Sequence, residues 1–252
     1  MSVHRDELGR YLDELLDVSS FQDYAPNGLQ VEGRAEIERV VVGVSANQAL
    51  IEAAVSQGAD ALLVHHGFFW KNEPRTLTGI RARRVRALMA ADVSLFGYHL
   101  PLDAHPRLGN NVGVLRAIGC EPTVTFSAGQ SVDGWIGEPA EPTPLSELLK
   151  RIERFSVVPP LVLGDRPELI RKVGICTGGG AGFFEAAVAA GCDLFISGEP
   201  SEMAQGLAHE LGAIFVAAGH HATERFGPQL LGEHMSDKFD IDVQFVDISN
   251  PV

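Results

Sequence analysis

Two pairs of adjacent histidines are the residues of this chain best suited to chemistry. His65 and His66 end one hydrophobic run, and His220 and His221 end another. Glu224 follows His220 by four residues, which places both on one side of a helix if a helix begins there. Histidine nitrogens with carboxylate oxygens suit Zn, Mn, Fe or Co, whereas Mg or Ca sites are built from oxygen alone. The pattern therefore predicts a transition-metal site.

A segment between the two pairs adds further candidates. It contains His99, Asp103 and His105. The full set of predicted ligands is His65, His66, Asp103, His220 and Glu224. Asp103 has two carboxylate oxygens and could bridge two ions, and bridged ions about 3.5–4 Å apart activate water for hydrolysis. Pro101 disfavours a regular helix from His99 to Asp103, so we expect Asp103 to lie in a loop.

An ordinary structural role is the alternative for each histidine taken alone. Lone histidines are more often core or loop residues than ligands, but adjacent pairs at two strand ends are unusual. Neighbouring residues of a strand point to opposite faces, so using both His65 and His66 requires two ions or an irregular strand end. His105 is either a surface-loop residue or a support for the site, and His221 is expected to support His220.

Composition narrows the classes of protein to which the chain could belong. It has 252 residues, 45% of them hydrophobic, and a net charge of −13. This acidity argues against nucleic acid and anionic membrane as partners, and no apolar run reaches the roughly 18 residues that span a bilayer. The three cysteines form no CxxC pair, which fits a reducing compartment. We therefore expect a cytoplasmic protein.

Short β-branched runs alternate with alanine-rich helical stretches, which is typical of an α/β fold with a largely parallel sheet. Strands are predicted at 40–44, 61–64, 93–98, 123–126, 134–137 and 214–218, and helices at 6–16, 48–57, 81–91, 112–118 and 145–153. Gly119 is a suitable residue to end the helix before it.

The second half of the chain repeats the order of the first. Strand, turn, helix, Gly-x-Asp and strand occur at 42–63 and again at 173–196. The repeat predicts two related three-layer α/β lobes with mostly parallel sheets that face each other across a metal site. We place the lobes at 1–125 and 126–252, the second including a β-rich connecting segment at about 126–165. Ligands of such folds lie at the carboxyl ends of strands, which is where the histidines fall.

Three other features carry less information. The loop Gly178–Gly182 follows a strand and is either a tight turn or an anion site, and it matches no Walker sequence. The Arg81–Arg86 cluster is either a solvated helix face or a patch for phosphate or another subunit. Ser45 and Ser197 lie at strand ends, but neither occurs in a G-x-S-x-G sequence, which disfavours a serine hydrolase.

Several motifs occur together and in order along the whole chain. They lie at Ala25–Val31, Val64–Gly67, Tyr98–Asp103, Gly109–Asn111, Ser197–Glu199, Gly219–Glu224 and Asp247–Val252. In this set the chain resembles the Nif-three-like dinuclear metal-centre family, whose members carry the name GTP cyclohydrolase I type 2 homologue. The resemblance implies that His65, His66, Asp103, His220 and Glu224 bind two metal ions. It also implies that His99 lies beside them and that six copies form a ring.

Two kinds of function are compatible with these residues. The first is a hydrolase that uses two divalent ions to activate water against a nucleotide or phosphoester, in the manner of a GTP cyclohydrolase. His99 is then the candidate for proton transfer, because histidine can gain and lose a proton near neutral pH. The second is a non-enzymatic metal-binding ring or interaction scaffold, which would need the same ligands.

Overall fold

The computed structural model describes residues 1–74, 76–164 and 169–252. Within these ranges the strands are β1 (Val3–His4), β2 (Gly28–Val31), β3 (Glu36–Ile37), β4 (Arg39–Ser45), β5 (Ala61–His66), β6 (Ser94–Gly97), β7 (Cys120–Phe126), β8 (Gly134–Pro139), β9 (Thr143–Pro144), β10 (Leu161–Leu163), β11 (Leu169–Ile170), β12 (Val173–Cys176), β13 (Leu194–Ser197), β14 (Ile214–Ala217) and β15 (Asp242–Phe245).

The α-helices of the same ranges are α1 (Arg5–Leu15), α2 (Gln48–Ser56), α3 (Gly79–Ala90), α4 (Leu100–Ala104), α5 (Asn110–Ala117), α6 (Leu145–Ile152), α7 (Phe184–Ala189), α8 (Ala204–Leu211), α9 (His220–Thr223) and α10 (Phe226–Phe239). Short 3-10 helices cover Val18–Ser20 and Gly180–Phe183. None of the helices in the described part of the chain combines the length and apolarity needed to cross a membrane.

The chain divides into two units, each with its own sheet. The first unit contains residues 1–102 and 227–248, and the second contains residues 103–226 and 249–252. These bounds differ from the predicted boundary at residue 125. Strand β15 pairs with β4, which brings a late segment into the first sheet, and β7 pairs with β8 in the second sheet. Pairing between distant segments sets these bounds, and local sequence patterns do not reveal it.

The sheet of the first unit is mostly parallel, as predicted. Its strand order is β15-β4-β5-β6-β2, and only β2 runs antiparallel to its neighbour. Leu50 of α2 and Leu88 of α3 pack with the buried side chains of β4, β5 and β6. Gly9 of α1 lies close to Phe96, and Gly232 of α10 lies close to Val42. Helices therefore accompany the sheet as the three-layer prediction requires.

The sheet of the second unit is mixed, which corrects the prediction of a mostly parallel sheet there. Its order is β10-β14-β13-β12-β8-β7, and only β12, β13 and β14 are mutually parallel. The antiparallel strands β7, β8 and β10 come largely from the predicted β-rich connecting segment. Strands β7 and β8 follow each other through a short connection and therefore pair antiparallel, because parallel pairing needs a long crossover. Residue 165, the predicted end of that segment, lies outside the described residues.

The repeated Gly-x-Asp motif performs the same task in each unit. Asp60 Oδ2 accepts hydrogen bonds from the backbone N–H groups of Glu38 and Arg39, at 2.8 and 2.9 Å. Asp193 Oδ2 accepts them from Arg171 and Lys172, at 2.7 and 3.1 Å. Each aspartate directly precedes a strand and ties the start of that strand to the start of the preceding strand of the same sheet. The repeat seen in the sequence is therefore a repeat of structure.

The segment around Asp103 differs from the predicted loop. Leu100–Ala104 forms the short helix α4, with Pro101 as its second residue. Proline is tolerated in the first turn of a helix because the N–H it lacks would have no partner within the helix. The prediction treated Pro101 as an interior residue, whereas the helix begins only one residue before it.

Candidate metal centre

Three histidines of the first unit lie together at the carboxyl ends of adjacent strands. His65 and His66 end β5, and His99 follows β6 by two residues. One ring nitrogen from each of the three lies within 4.8 Å of the others. The ring centroids of His65 and His66 are 4.6 Å apart, and that of His65 is 5.0 Å from that of His99. This group, the histidine triad, has donor atoms close enough to share one ion.

Each ring of the histidine triad is held through its Nδ1 atom. His65 Nδ1 lies 2.9 Å from the backbone carbonyl oxygen of Tyr98, so it must carry the proton and donate. His66 Nδ1 lies 3.0 Å from the Ser45 hydroxyl. His99 Nδ1 lies 2.9 Å from the Asp23 carboxylate. Metal-binding histidines typically bond a carboxylate, carbonyl or water through the other ring nitrogen, which fixes the tautomer and the ring orientation.

Asp23 organises the surroundings of His99. Its carboxylate accepts hydrogen bonds from the Leu100 N–H at 3.0 Å and the Asn27 side chain at 3.0 Å, in addition to its contact with His99. Burial alone would raise the pKa of Asp23. The hydrogen bonds and the charge of His99 outweigh that effect and lower the pKa to about 2. Asp23 is therefore a carboxylate at neutral pH and favours a proton on Nδ1 of His99.

Asp103 lies in the second unit, in a pocket of buried amides and hydroxyls. Its Oδ1 accepts a hydrogen bond from Asn110 at 2.8 Å, and the Thr177 hydroxyl lies 3.3 Å away. Asn111 donates to the Asp103 backbone carbonyl at 3.1 Å and accepts from the Thr177 N–H at 2.9 Å. Asn110 and Asn111 are fully buried. The orientation of the Asp103 carboxylate is thus set by α5 and the end of β12.

His220 and Glu224 form a pair in the second unit. His220 begins α9 and Glu224 directly follows its last residue. His220 Nε2 lies 3.0 Å from Glu224 Oε2, as the four-residue spacing predicts. His220 Nδ1 hydrogen-bonds to Glu199. Burial alone would lower the pKa of His220, but the hydrogen bonds and charges of Glu224 and Glu199 raise it to about 9. Two carboxylates around one imidazole make a position that attracts a cation.

The glycine loop Gly178–Gly182 allows the side chains of His220 and Glu224 to lie close to its backbone. Gly178 has a φ of +61°, and a Cβ atom there would collide with Glu224 Oε1 and lie 3.0 Å from His220 Nε2. The Gly178 N–H donates to the Thr223 hydroxyl at 3.1 Å, and its carbonyl accepts from the Ser197 hydroxyl at 3.0 Å. Of the two interpretations of Gly178–Gly182, the structure favours a tight turn that makes room for the Glu224 carboxylate.

The remaining histidines have other surroundings. His105 is buried, and its Nδ1 accepts hydrogen bonds from the backbone N–H groups of Arg107 and Leu108 at 3.2 and 3.0 Å, so it closes a turn. The backbone N–H of His221 donates to the Val252 carbonyl at 2.9 Å. In the arginine cluster, Arg81 forms an ion pair with Glu73 at 3.1 Å.

Sequence reasoning missed residues that hold the predicted ones in place. Asp23 is 76 positions from His99, and Glu199 is 21 positions from His220. Tyr24 and Trp70, whose rings lie beside His99, were not singled out either. No sequence motif pointed to Asp23, whereas Glu199 is part of the Ser197–Glu199 motif that contributes to the family resemblance.

The match to a known family extends over nearly the whole chain. Residues 3–251 match the family described as Duf34/NIF3 (NGG1p interacting factor 3). This chain belongs to the Duf34/NIF3 family. A relative from Haemophilus influenzae, named GTP cyclohydrolase 1 type 2 homolog, is 47% identical over 97% of this chain and 98% of its own.

Solved structures of similar proteins agree with this membership. Protein ybgI, described as of unknown function, is 44% identical with a TM-score of 0.93, covering 99% of this chain and 100% of its own. TTHA1606 from Thermus thermophilus is 33% identical with a TM-score of 0.89, with the same coverage of 99% and 100%. This Duf34/NIF3 protein therefore shares the complete α/β architecture of these relatives.

Proposed function

We propose that this Duf34/NIF3 protein is a hydrolase that binds two divalent ions through His65, His66, Asp103, His220 and Glu224. The observation that carries the proposal is that the three proposed histidine ligands are each held through Nδ1: His65 by a carbonyl, His66 by a hydroxyl and His220 by a carboxylate. This arrangement orients Nε2 as the ligand atom. Imidazole and carboxylate donors together fit Zn, Fe, Mn or Co. When bound, such ions lower the pKa of water and stabilise developing negative charge.

The chain's own residues divide the remaining tasks. His99 Nε2 accepts or delivers a proton near the reacting atoms, because the contact between its Nδ1 and the Asp23 carboxylate fixes the ring and its tautomer. The Asn110 amide and the Thr177 hydroxyl hold the Asp103 carboxylate in one orientation. Glu199 holds the ring of His220 in the same way that Asp23 holds His99.

The substrate class is a nucleotide or another phosphoester. The name GTP cyclohydrolase 1 type 2 homolog, carried by relatives 43–48% identical to this chain, supports the nucleotide version, in which water adds to the imidazole ring of a purine. The net charge of −13 would repel a polyanion, and two divalent ions would offset that repulsion locally. The buried, unpaired thiols of Cys120, Cys176 and Cys192 support a cytoplasmic location.

A metal-loaded activity screen across nucleotides and phosphoesters tests the proposal. Protein reconstituted separately with Zn, Mn, Fe and Co should hydrolyse at least one substrate. Asp103→Ala should lose turnover together with most of its metal, measured by elemental analysis. Asp133→Ala, which removes an aspartate outside the proposed site, is the matched control and should keep both. Full metal content in the unaltered chain and in Asp133→Ala, without any turnover, would instead favour the non-enzymatic metal-binding ring or scaffold.

A further inference from the structure

We propose that Tyr24 and Trp70 form a subsite for a flat heteroaromatic ring, such as a nucleobase, beside the histidine triad. This inference rests on the proposed function and selects nucleotides from its two substrate classes. The two residues lie in the first unit, Tyr24 just after Asp23 and Trp70 four residues after His66. We name Tyr24 and Trp70 together the aromatic wall. It would provide a surface for ligand recognition next to the histidine triad.

Both rings of the aromatic wall lie next to the ring of His99. The centroids of the Tyr24 and Trp70 rings are 5.6 Å apart, and their planes differ by 35°. Each ring lies 5.0 Å from that of His99 and meets it edge-on, at 74° and 75°. Trp70 also lies 5.7 Å from the ring of His66. A flat ligand ring in contact with either aromatic face would therefore lie within a few ångströms of the proposed proton carrier.

Exposure distinguishes these rings from the packed aromatic residues of the core. Tyr24 is 53% exposed and Trp70 is half-buried, whereas Phe184, Phe195 and Phe215 are fully buried. The adjacent Phe69 is 39% exposed and has a φ of 68°, in the left-handed region that bulky residues rarely adopt. Backbone strain of this kind persists at ligand-binding positions. Base stacking requires accessible aromatic faces of this kind.

The aromatic wall is held in place before any ligand arrives. Trp70 Nε1 donates to the Gly67 carbonyl at 3.2 Å, and the Lys71 N–H donates to the Tyr24 carbonyl at 2.8 Å. The Tyr24 N–H donates to Asp23 Oδ1 at 2.7 Å, the same oxygen that contacts His99 Nδ1. One carboxylate thus contacts both the proton carrier His99 and the backbone of Tyr24. A preformed surface of this kind binds a ring at little cost in conformational entropy.

Tryptophan fluorescence tests the subsite without any need for turnover. The chain has two tryptophans, so Trp135→Phe leaves Trp70 as the only one. The protein is excited at the red edge of tryptophan absorption, and free tryptophan in the same solutions corrects for light absorbed by the base. Under these conditions GTP and guanosine should quench the Trp70 emission, and the quenching should saturate with concentration. Ribose 5-phosphate and tripolyphosphate, which lack a base, should not quench it. Trp70→Phe with Trp135 retained should also stay unquenched. Equal quenching by the probes without a base, or none by guanosine and GTP at millimolar concentration, would overturn the inference.

The GTP affinities of variants in the aromatic wall provide a second test. Trp70→Leu and Tyr24→Leu should each weaken GTP binding about tenfold to a hundredfold in calorimetry, as expected when a stacking ring is removed. Tyr24→Phe, which keeps the ring, should bind as the unaltered chain does. Unchanged affinity in both leucine variants, with their circular dichroism intact, would contradict the subsite.

The failure of the proposed function and the failure of this inference can be distinguished. Base-dependent quenching without hydrolysis would reject the proposed function alone, and phosphoester hydrolysis without base-dependent quenching would reject only this inference.

Discussion

Histidine rings in this protein depend on distant residues for their orientation. The sequence identifies His65, His66 and His220 from their positions at the ends of hydrophobic runs. It does not identify the carboxylates that hold His99 and His220, because Asp23 and Glu199 reach these rings only through the fold. Residue type and spacing therefore predict which side chains carry donor atoms. The tautomers and orientations of those side chains become apparent only from the structure.

Replacement of His99 separates proton transfer from metal binding. His99→Ala should retain both ions in elemental analysis and lose turnover by about a hundredfold or more, the usual size of a general acid–base contribution. Asp23→Asn should lower turnover less, because the ring remains but its Nδ1 partner changes. Loss of one ion in His99→Ala would contradict the assignment and make His99 a ligand. Full activity would make it a bystander.

Gly178 provides a test of the close approach to Glu224. In Gly178→Ala the new methyl group would displace the Glu224 carboxylate, so metal affinity measured by equilibrium dialysis should fall at least tenfold. Gly179→Ala is the matched control, because Gly179 has a φ of −79° and, its chain neighbours aside, no described residue has an atom within 4 Å of the added Cβ. Equal affinities in the two variants would show that the close approach does not matter for metal binding.

At the scale of elements, alternation and repetition predicted most strands and helices to within a few residues. The predicted strand 40–44 is observed as Arg39–Ser45, and the predicted helix 48–57 as Gln48–Ser56. The order of strands in the sheets was not predictable in the same way. Strand β15 joins β4 across nearly the whole chain, and three antiparallel strands flank the parallel part of the second sheet. Such pairings depend on tertiary packing rather than on local periodicity.

The two Gly-x-Asp motifs should contribute similarly to stability. Asp60→Ala and Asp193→Ala each leave two backbone N–H groups without their carboxylate acceptor. We expect each to lower the free energy of unfolding by about 1–3 kcal/mol in urea titrations. Asp60→Asn and Asp193→Asn keep an acceptor oxygen and should lose less. A large effect at one aspartate with none at the other would argue against equivalent roles.

At the scale of the whole molecule, resemblance to the family motivates a closed ring of six copies. Multi-angle light scattering at micromolar concentration should therefore give six times the chain mass. The mass should not change when ions are removed with a chelator if apolar contacts between copies hold the ring together. A particle with the mass of a single chain would refute the ring.

Anomalous X-ray scattering from metal-loaded crystals tests the central claim most directly. Data collected at the absorption edge of the bound metal locate each ion without reference to activity. We predict two peaks per chain, within about 4 Å of each other, with His65, His66, Asp103, His220 and Glu224 as ligands. A single peak, or two peaks bound by other residues, would contradict the dinuclear centre.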